Sequence, residues 1–178
     1  TNSTNGWGNV NWNFAASFVW DGSASTDWAT AANWDLNAVP GTGDTAIIAD
    51  VVNKPILGGA VTVNNLTINA NSSLGLSGNN LTVSTTFTNN GSLTLTGDET
   101  VSTPINNAGS TVTYTATTGS RNLKNWTYDN LTINGSGGTF TLGAALDVNN
   151  TLTITAGTLD VGVSNFGITA KSWTDTGA

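Results

Sequence analysis

The sequence contains no cysteine, no histidine and no methionine. The absence of cysteine excludes disulfides, thiolate metal sites and cysteine nucleophiles, and the absence of histidine excludes a Ser-His-Asp triad. Basic residues are also scarce, because four Lys and Arg stand against eleven Asp and Glu, which gives a net charge of −7. So few cations provide no electrostatic surface for nucleic acid or an anionic membrane. We therefore expect no nucleic-acid partner, and we expect no cofactor.

Charged residues make up only 8% of the chain and hydrophobic residues 38%. No apolar run approaches the roughly 18 residues that a membrane helix needs, so we expect no membrane insertion. Asn, Thr, Gly and Ser supply more than half of the residues, but the frequent Val and Ile and the seven Trp are atypical of a disordered chain. This balance is typical of a β-protein with many polar turns.

Short runs that alternate apolar residues with threonine recur along the chain. They read NLTI at 65–68, NLTV at 80–83, SLTL at 92–95, NLTI at 130–133 and TLTI at 151–154. Apolar side chains two positions apart, with threonine between them, are typical of a strand with one buried face.

Apolar positions also return at longer intervals of 18 to 21 residues. The series are Val61–Leu81–Val101, Leu66–Phe87–Ile105, Leu74–Leu93–Val112, Leu131–Leu152 and Phe140–Leu159. A β-sandwich shows turn signals every 8–12 residues or so, without such a cycle. Three short strands in a cycle of about 20 residues instead predict an all-β, right-handed parallel β-helix (β-solenoid), in which stacked coils share one core.

The composition divides the chain into three parts. Residues 1–17 are predicted to form an N-terminal arm or the tail of a preceding unit. Residues 18–57, rich in Trp and Asp, are predicted to form a cap segment that leads into the solenoid. Residues 58–178 are predicted to form the coils, with an insertion near 115–129, where the cycle is interrupted.

Two segments resemble parts of bacterial secreted and surface repeat proteins of the autotransporter or adhesin type. The segment 109–161 resembles their repeat units through its Tyr-x-Asn-Leu-Thr core at 128–132 and its TLTITAGTLDV run. The segment 18–57 resembles a Trp-rich unit that precedes a β-helix in large surface proteins. Its matching positions are Trp20, Gly22, Asp27, Trp28, Asn33, Trp34, Pro40, Gly43 and Asp44. The resemblance implies an exported surface, adhesive or scaffold protein, and it does not imply a catalytic centre.

We therefore expect a structural or adhesive extracellular protein that serves as a building block of a fibre, sheath or stalk, and not an enzyme. The last coils of a solenoid expose strand edges that invite pairing. We expect these ends to meet a second copy or flanking repeats of the same polypeptide. A head-to-tail contact that does not close produces a filament.

Two other functions remain open at this stage. The first is a carbohydrate-binding module, because tryptophan rings stack on sugars at half-exposed sites. Its candidate residues are Trp20, Trp28, Trp34 and Trp126, although the first three are also suited to plugging the end of the solenoid. The second is a polysaccharide-cleaving β-helix enzyme, which needs paired carboxylates. Asp98 and Glu99 are adjacent, so in a strand their side chains point to opposite faces. Asp147 and Asp160, expected in neighbouring strands that could face one groove, are the candidate pair.

Two further site predictions rest on residue type. Calcium prefers carboxylate and carbonyl oxygens, and its candidate ligands are Asp21, Asp27 and Asp44. The same aspartates are equally typical of turns. The candidate glycosylation acceptors in Asn-x-Thr sequences are Asn65, Asn80 and Asn130.

Threonine triplets raise the question of ice binding, because a flat threonine array orders water in register with ice. The triplets are Thr94–Thr96, Thr113–Thr115 and Thr153–Thr155. An ice-binding face needs aligned triplets in every coil, whereas these recur at irregular intervals. The sequence therefore favours threonine as an ordinary polar residue of strands.

Overall fold

A computed structural model describes residues 15–177. This part of the chain contains thirteen β-strands, a single 3-10 turn at Ala31–Asn33 and no α-helix. The strands are β1 (Ser17–Trp20), β2 (Thr45–Ile48), β3 (Val61–Ile68), β4 (Ser73–Gly75), β5 (Leu81–Asn89), β6 (Ser92–Leu95), β7 (Ile105–Asn106), β8 (Thr111–Tyr114), β9 (Ser120–Asn122), β10 (Thr127–Tyr128), β11 (Asn130–Thr141), β12 (Leu146–Asp160) and β13 (Ile168–Asp175).

All pairings between these strands are parallel. The strands stack as a β-solenoid of about seven turns. The first sheet has the order β1-β2-β3-β5-β7, and the second contains β4, β6, β8, β11 and β12, with β13 on the far side of β12. The predicted fold class, a parallel β-solenoid behind a Trp-rich segment, is confirmed.

Inward side chains form columns because parallel pairing brings equivalent residues of successive coils together. In the second sheet, Leu74 pairs with Leu93, and Leu93 pairs with Val112. The column continues through Leu131 and Leu152, and all five of its residues are at most 1% exposed. One coil alone cannot exclude water from these side chains, so the core exists only in the stack.

The spacing of about 20 residues correctly predicted most of the register. Val61 pairs with Leu81 and Leu81 with Val101, and the predicted pairs Leu66–Phe87, Leu131–Leu152 and Phe140–Leu159 are also present. The prediction for Ile105 was wrong, since it pairs with Thr88 and not with Phe87. A shift of one residue turns a side chain to the other face of a strand, and Ile105 is 56% exposed.

The stretch 115–129, predicted to be an insertion, is part of the solenoid. Val112 and Leu131 pair directly across it, so it completes one coil of ordinary length. It contains β9, which pairs with β11, and β10, which pairs with β12. The sequence did not reveal these strands because they have only three and two residues. Of the predicted arm 1–17, residues 1–14 lie outside the described residues.

Glycine permits the closest approach between coils at two corners. A Cβ atom at Gly91 would overlap the carbonyl oxygens of Asn69 and Ser72, and one at Gly135 would overlap that of Ala116. These contacts join successive coils at the corners. Only a residue without a side chain fits there.

Candidate functional site

The Trp-rich segment covers the N-terminal end of the solenoid. Trp20, Trp28 and Trp34 are only 0%, 2% and 1% exposed. The Trp34 ring lies edge-to-face against the other two, with centroids 5.2 Å from Trp20 and 4.8 Å from Trp28. Its Nε1–H donates to the carbonyl oxygen of Trp28 at 3.0 Å. Edge-to-face pairs of this kind stabilise beyond the area that they bury.

The same segment also provides hydrogen-bond partners for the main-chain groups on the outer edge of β1. The Val19 N–H donates to the Asp35 carboxylate at 2.9 Å, and the Asp35 N–H donates back to the Val19 carbonyl oxygen at 3.0 Å. An unpaired edge strand would otherwise be a template for another chain. The first end of the solenoid is therefore closed by its own cap.

A buried asparagine organises the cap from inside. Asn33 is fully buried, and its side-chain oxygen accepts hydrogen bonds from the N–H groups of Ala24 and Ser25 at 2.9 and 2.7 Å. Its amide nitrogen donates to the carbonyl oxygen of Asp27 at 2.9 Å and to the Ser25 hydroxyl. One side chain thus holds the loop that carries Trp28. In the sequence, this role of Asn33 was indicated by its position in the Ala-Asn-Trp part of the motif.

The candidate sugar-binding tryptophans do not form a platform. Trp126 is 7% exposed, so it is buried like Trp20, Trp28 and Trp34. A ring that stacks on a pyranose needs a free face, whereas the faces of these rings are packed in the core. The buried positions correct the prediction of exposed tryptophans and agree with its alternative, an N-terminal plug. Trp173, at 55%, is the one exposed tryptophan of the described residues.

The candidate calcium ligands use their carboxylates to accept hydrogen bonds that hold turns in place. Asp44 accepts from the N–H groups of Ala16 and Gly41, at 2.9 and 2.8 Å. Asp27 accepts from Ala29 and Thr30, and Asp21 accepts from the N–H of Ser23. Within residues 15–177, no three acidic side chains come together as a metal site.

The acidic residues considered for hydrolysis lie in different surroundings, and Asp147 and Asp160 lie near opposite ends of β12 and not in neighbouring strands. Asp98 forms an ion pair with Arg121 at 2.6 Å, whereas Glu99 is buried and accepts hydrogen bonds from main-chain N–H groups. Asp147 pairs with Thr169 in one ladder and Asp160 with Thr141 in another. The prediction that the chain is not an enzyme stays a prediction.

The candidate glycosylation acceptors differ in access. Asn80 is exposed, and its side-chain oxygen accepts from the Thr100 N–H. The amide nitrogens of Asn65 and Asn130 are used in hydrogen bonds, to the Thr45 hydroxyl and to the Ser110 carbonyl oxygen. Of the three, Asn80 therefore presents the most accessible amide.

A family model described as a domain of unknown function (DUF8693) matches residues 19–137. The chain belongs to this family. The DUF8693 match includes the three cap tryptophans and the coils as far as the middle of β11, so it treats cap and solenoid as one unit. No curated protein and no solved structure matches the chain. In the part that the structure describes, no helix has the length and apolar character to cross a membrane.

The DUF8693 segment also contains a buried pair of tyrosines. The hydroxyl groups of Tyr114 and Tyr128 lie 3.0 Å apart. The Tyr128 hydroxyl donates to the carbonyl oxygen of Lys124 at 2.7 Å, and the Lys124 N–H donates to the Tyr114 oxygen at 3.0 Å. Burial raises the pKa of Tyr114 to about 12 and raises the pKa of Tyr128 well above its usual range.

We expect neither tyrosine to ionise in the folded protein near pH 10. The chain has only these two tyrosines, so the ultraviolet absorbance of tyrosinate reports on them directly. The unfolded chain releases both protons near a pKa of about 10, so stability falls as pH rises above that value. Tyrosinate absorbance should therefore rise together with the loss of β-structure seen by circular dichroism. Ionisation near pH 10 with the β-structure intact would contradict the buried pair.

Proposed function

We propose that this protein is a structural or adhesive extracellular protein of a bacterial surface, one β-solenoid unit of a fibre, sheath or stalk. Its units assemble through their ends, with a second copy or with flanking repeats of the same polypeptide. The observation that carries the proposal is the contrast between the two ends of the described solenoid. The first end is closed by its cap, whereas β13 at the other end has an open edge.

The β13 edge continues the two features on which stacking depends, the apolar columns and the main-chain hydrogen-bond ladder. Leu146 pairs with Ile168 and Leu152 with Trp173, so the apolar columns reach the last described rung. Among residues 15–177, β13 pairs only with β12, which leaves one row of its main-chain groups available. An exposed strand edge with apolar side chains is a strong site of pairing with another strand.

A further coil of the same kind is the best match for this edge. It would cover Trp173 and complete the ladder of β12 and β13 with the same parallel pairing. Only 8% of the residues are charged, so successive coils meet with little electrostatic repulsion. Long hydrogen-bonded ladders over a continuous apolar core then supply stiffness without disulfides.

Replacing Trp173 with aspartate is expected to weaken end-to-end association about ten-fold or more, because it places a charge in the apolar contact. Sedimentation velocity over a range of concentrations measures this, and electron microscopy of native material should show rods joined at their ends. Ile105→Asp is the matched control, since Ile105 is a half-exposed apolar residue on the outward surface of the first sheet and not at an end of the solenoid. A protein that stays monomeric at every concentration, with no rods in native material, would refute the proposal.

A further inference from the structure

The outward surface of the second sheet carries a regular column of threonines. Thr94 pairs with Thr113, Thr113 with Thr132, Thr132 with Thr153 and Thr153 with Thr174. The same outward position therefore holds threonine in five consecutive rungs. The register shifts of β11 and β12 lie outside these pairs, so the column is unbroken.

Two further sets of polar residues flank this column, at the positions two residues before and two residues after it. Every position in them is Ser, Thr or Asn, and none is charged. The preceding set is Ser92, Thr111, Asn130, Thr151 and Ser172, which stay in register with the column. The following set is Thr96, Thr115, Asn134, Thr155 and Thr176, in which a register shift pairs Asn134 with Ala156 and not with Thr155. We call these three sets of residues the threonine face.

The unequal intervals between the central threonines in the sequence concealed their alignment in the sheet. The five central threonines are separated by 19, 19, 21 and 21 residues, as their paired positions show. The extra residues are absorbed elsewhere in the coil, for example at the register shift beyond Ile133. The triplets recur at irregular intervals in the sequence, as expected, but their first threonines are aligned in this sheet.

The central and preceding columns of the threonine face form a grid with two nearly constant spacings. Neighbouring rungs of a sheet lie about 4.8 Å apart, and alternate residues of one strand lie about 6.7 Å apart. Oxygen atoms in hexagonal ice repeat at similar distances. Threonine presents both a hydroxyl that hydrogen-bonds water and a methyl group around which water orders, so this grid is suited to water in an ice-like arrangement.

The central column is rigid and its hydroxyls are available. Its inward neighbours Leu93, Val112, Leu131 and Leu152 are at most 1% exposed, so the core anchors the first four of the five rungs. Hydrogen bonds of the face occur at its sides, such as Thr151 with Ser172 at 2.9 Å and Thr115 with the Leu95 carbonyl oxygen at 3.3 Å. Thr94, Thr113, Thr132, Thr153 and Thr174 donate to none of the described residues, which leaves their hydroxyls for water.

The outward columns of the first sheet are shorter and less uniform than the central threonine column. One runs through Ile47, Thr67, Thr88 and Ile105, so it mixes aliphatic residues with threonine. Another runs through Thr45, Asn65 and Thr86 and is polar, but it covers only three rungs. Threonine at one outward position of five consecutive rungs is therefore a feature of the second sheet.

We infer that the threonine face binds the surface of ice. This is a binding function separate from end-to-end assembly, because its residues point away from the core and lie along the side of the solenoid. A crystalline polysaccharide is the other flat, periodic ligand. The face favours ice because none of its outward positions carries the aromatic ring on which a sugar stacks.

The test is whether the 178-residue chain shapes growing ice crystals, lowers their growth temperature and is incorporated into a slowly growing ice hemisphere. Thr132→Tyr and Thr153→Tyr place a bulky ring in the centre of the grid and are expected to reduce the lowering at least about ten-fold. Thr67→Tyr, an outward substitution in the first sheet, is the matched control and should retain activity. Circular dichroism verifies that each variant keeps its β-structure.

Three results would overturn the inference. One is a wild-type chain that neither shapes ice nor enters it. Another is equal loss of activity in Thr67→Tyr and Thr132→Tyr. The third is binding to crystalline cellulose or chitin without any effect on ice. None of these depends on end-to-end association, which the Trp173→Asp variant tests separately.

Discussion

Replacing Trp34 with alanine is expected to lower the free energy of unfolding by about 3–5 kcal/mol. Trp34 lies at the centre of the cap, where its ring contacts Phe18, Trp20 and Trp28 edge-to-face. Its removal leaves a cavity against three aromatic rings, and it also deprives the Trp28 carbonyl oxygen of its hydrogen-bond donor. Because the cap covers the first rung, the loss exposes the core of the solenoid as well.

Urea denaturation followed by circular dichroism measures the change in stability, and hydrogen exchange locates it. We expect the amides of β1 and β2 to lose protection before those of β11 and β12. Trp173→Ala is the control, since it removes the same side chain from an exposed site and should change stability far less. A loss below about 1 kcal/mol for Trp34→Ala would show that the cap is not needed by the stack.

Replacing Glu99 with alanine is expected to cost about 2–4 kcal/mol at neutral pH. The buried carboxylate accepts hydrogen bonds from the N–H groups of Gly78, Thr96 and Gly97, at 3.0, 2.7 and 2.7 Å. These donors belong to two successive coils, so Glu99 joins the corners of neighbouring rungs. Alanine leaves all three donors without their acceptor.

The same carboxylate predicts a dependence on pH. Burial by itself raises the pKa of Glu99, but the hydrogen bonds from Thr96, from its own main chain and from Gly97 outweigh burial and hold the pKa below its ordinary value of 4.5. A lowered pKa in the folded state contributes stability above pH 4.5, and this contribution is lost as pH falls through the folded value. Acid should therefore reduce the stability of the wild-type chain more than that of a variant without this carboxylate.

Glu99→Gln provides that comparison, because it keeps the shape and one acceptor oxygen but does not titrate. Chemical denaturation at a series of pH values should show that the difference between wild type and Glu99→Gln narrows in acid. A difference that stays constant through this range would mean that the Glu99 charge does not contribute to folding. Glu99→Ala should remain the less stable variant throughout.

Most of the solenoid was predictable because its register depends on a simple repeat. Leu74, Leu93 and Val112 recur at nearly one interval, and each strand shows its buried face through alternation. These signals belong to the sequence because a column requires the same type of side chain in every coil. The signal failed at β9 and β10, which are too short to alternate, and at Ile105, where one residue changes the face.

The functional surfaces were less predictable because they depend on what covers each side chain. A Trp-rich segment is compatible with a sugar platform and with a plug, and only the packing of Trp34 against Trp20 and Trp28 distinguished them. Similarly, Asp21, Asp27 and Asp44 are suitable calcium ligands by type, but their carboxylates are directed to nearby turn groups.

The amino-acid sequence by itself determined an all-β solenoid, the approximate length of its coils and the identity of most inward columns. It did so because burial selects apolar residues at a fixed period. The tertiary structure alone decided that the tryptophans are buried and that the threonines from Thr94 to Thr174 form one aligned column. The physical reason is that outward alignment depends on how each corner absorbs its extra residues, and those residues follow no period that the sequence displays.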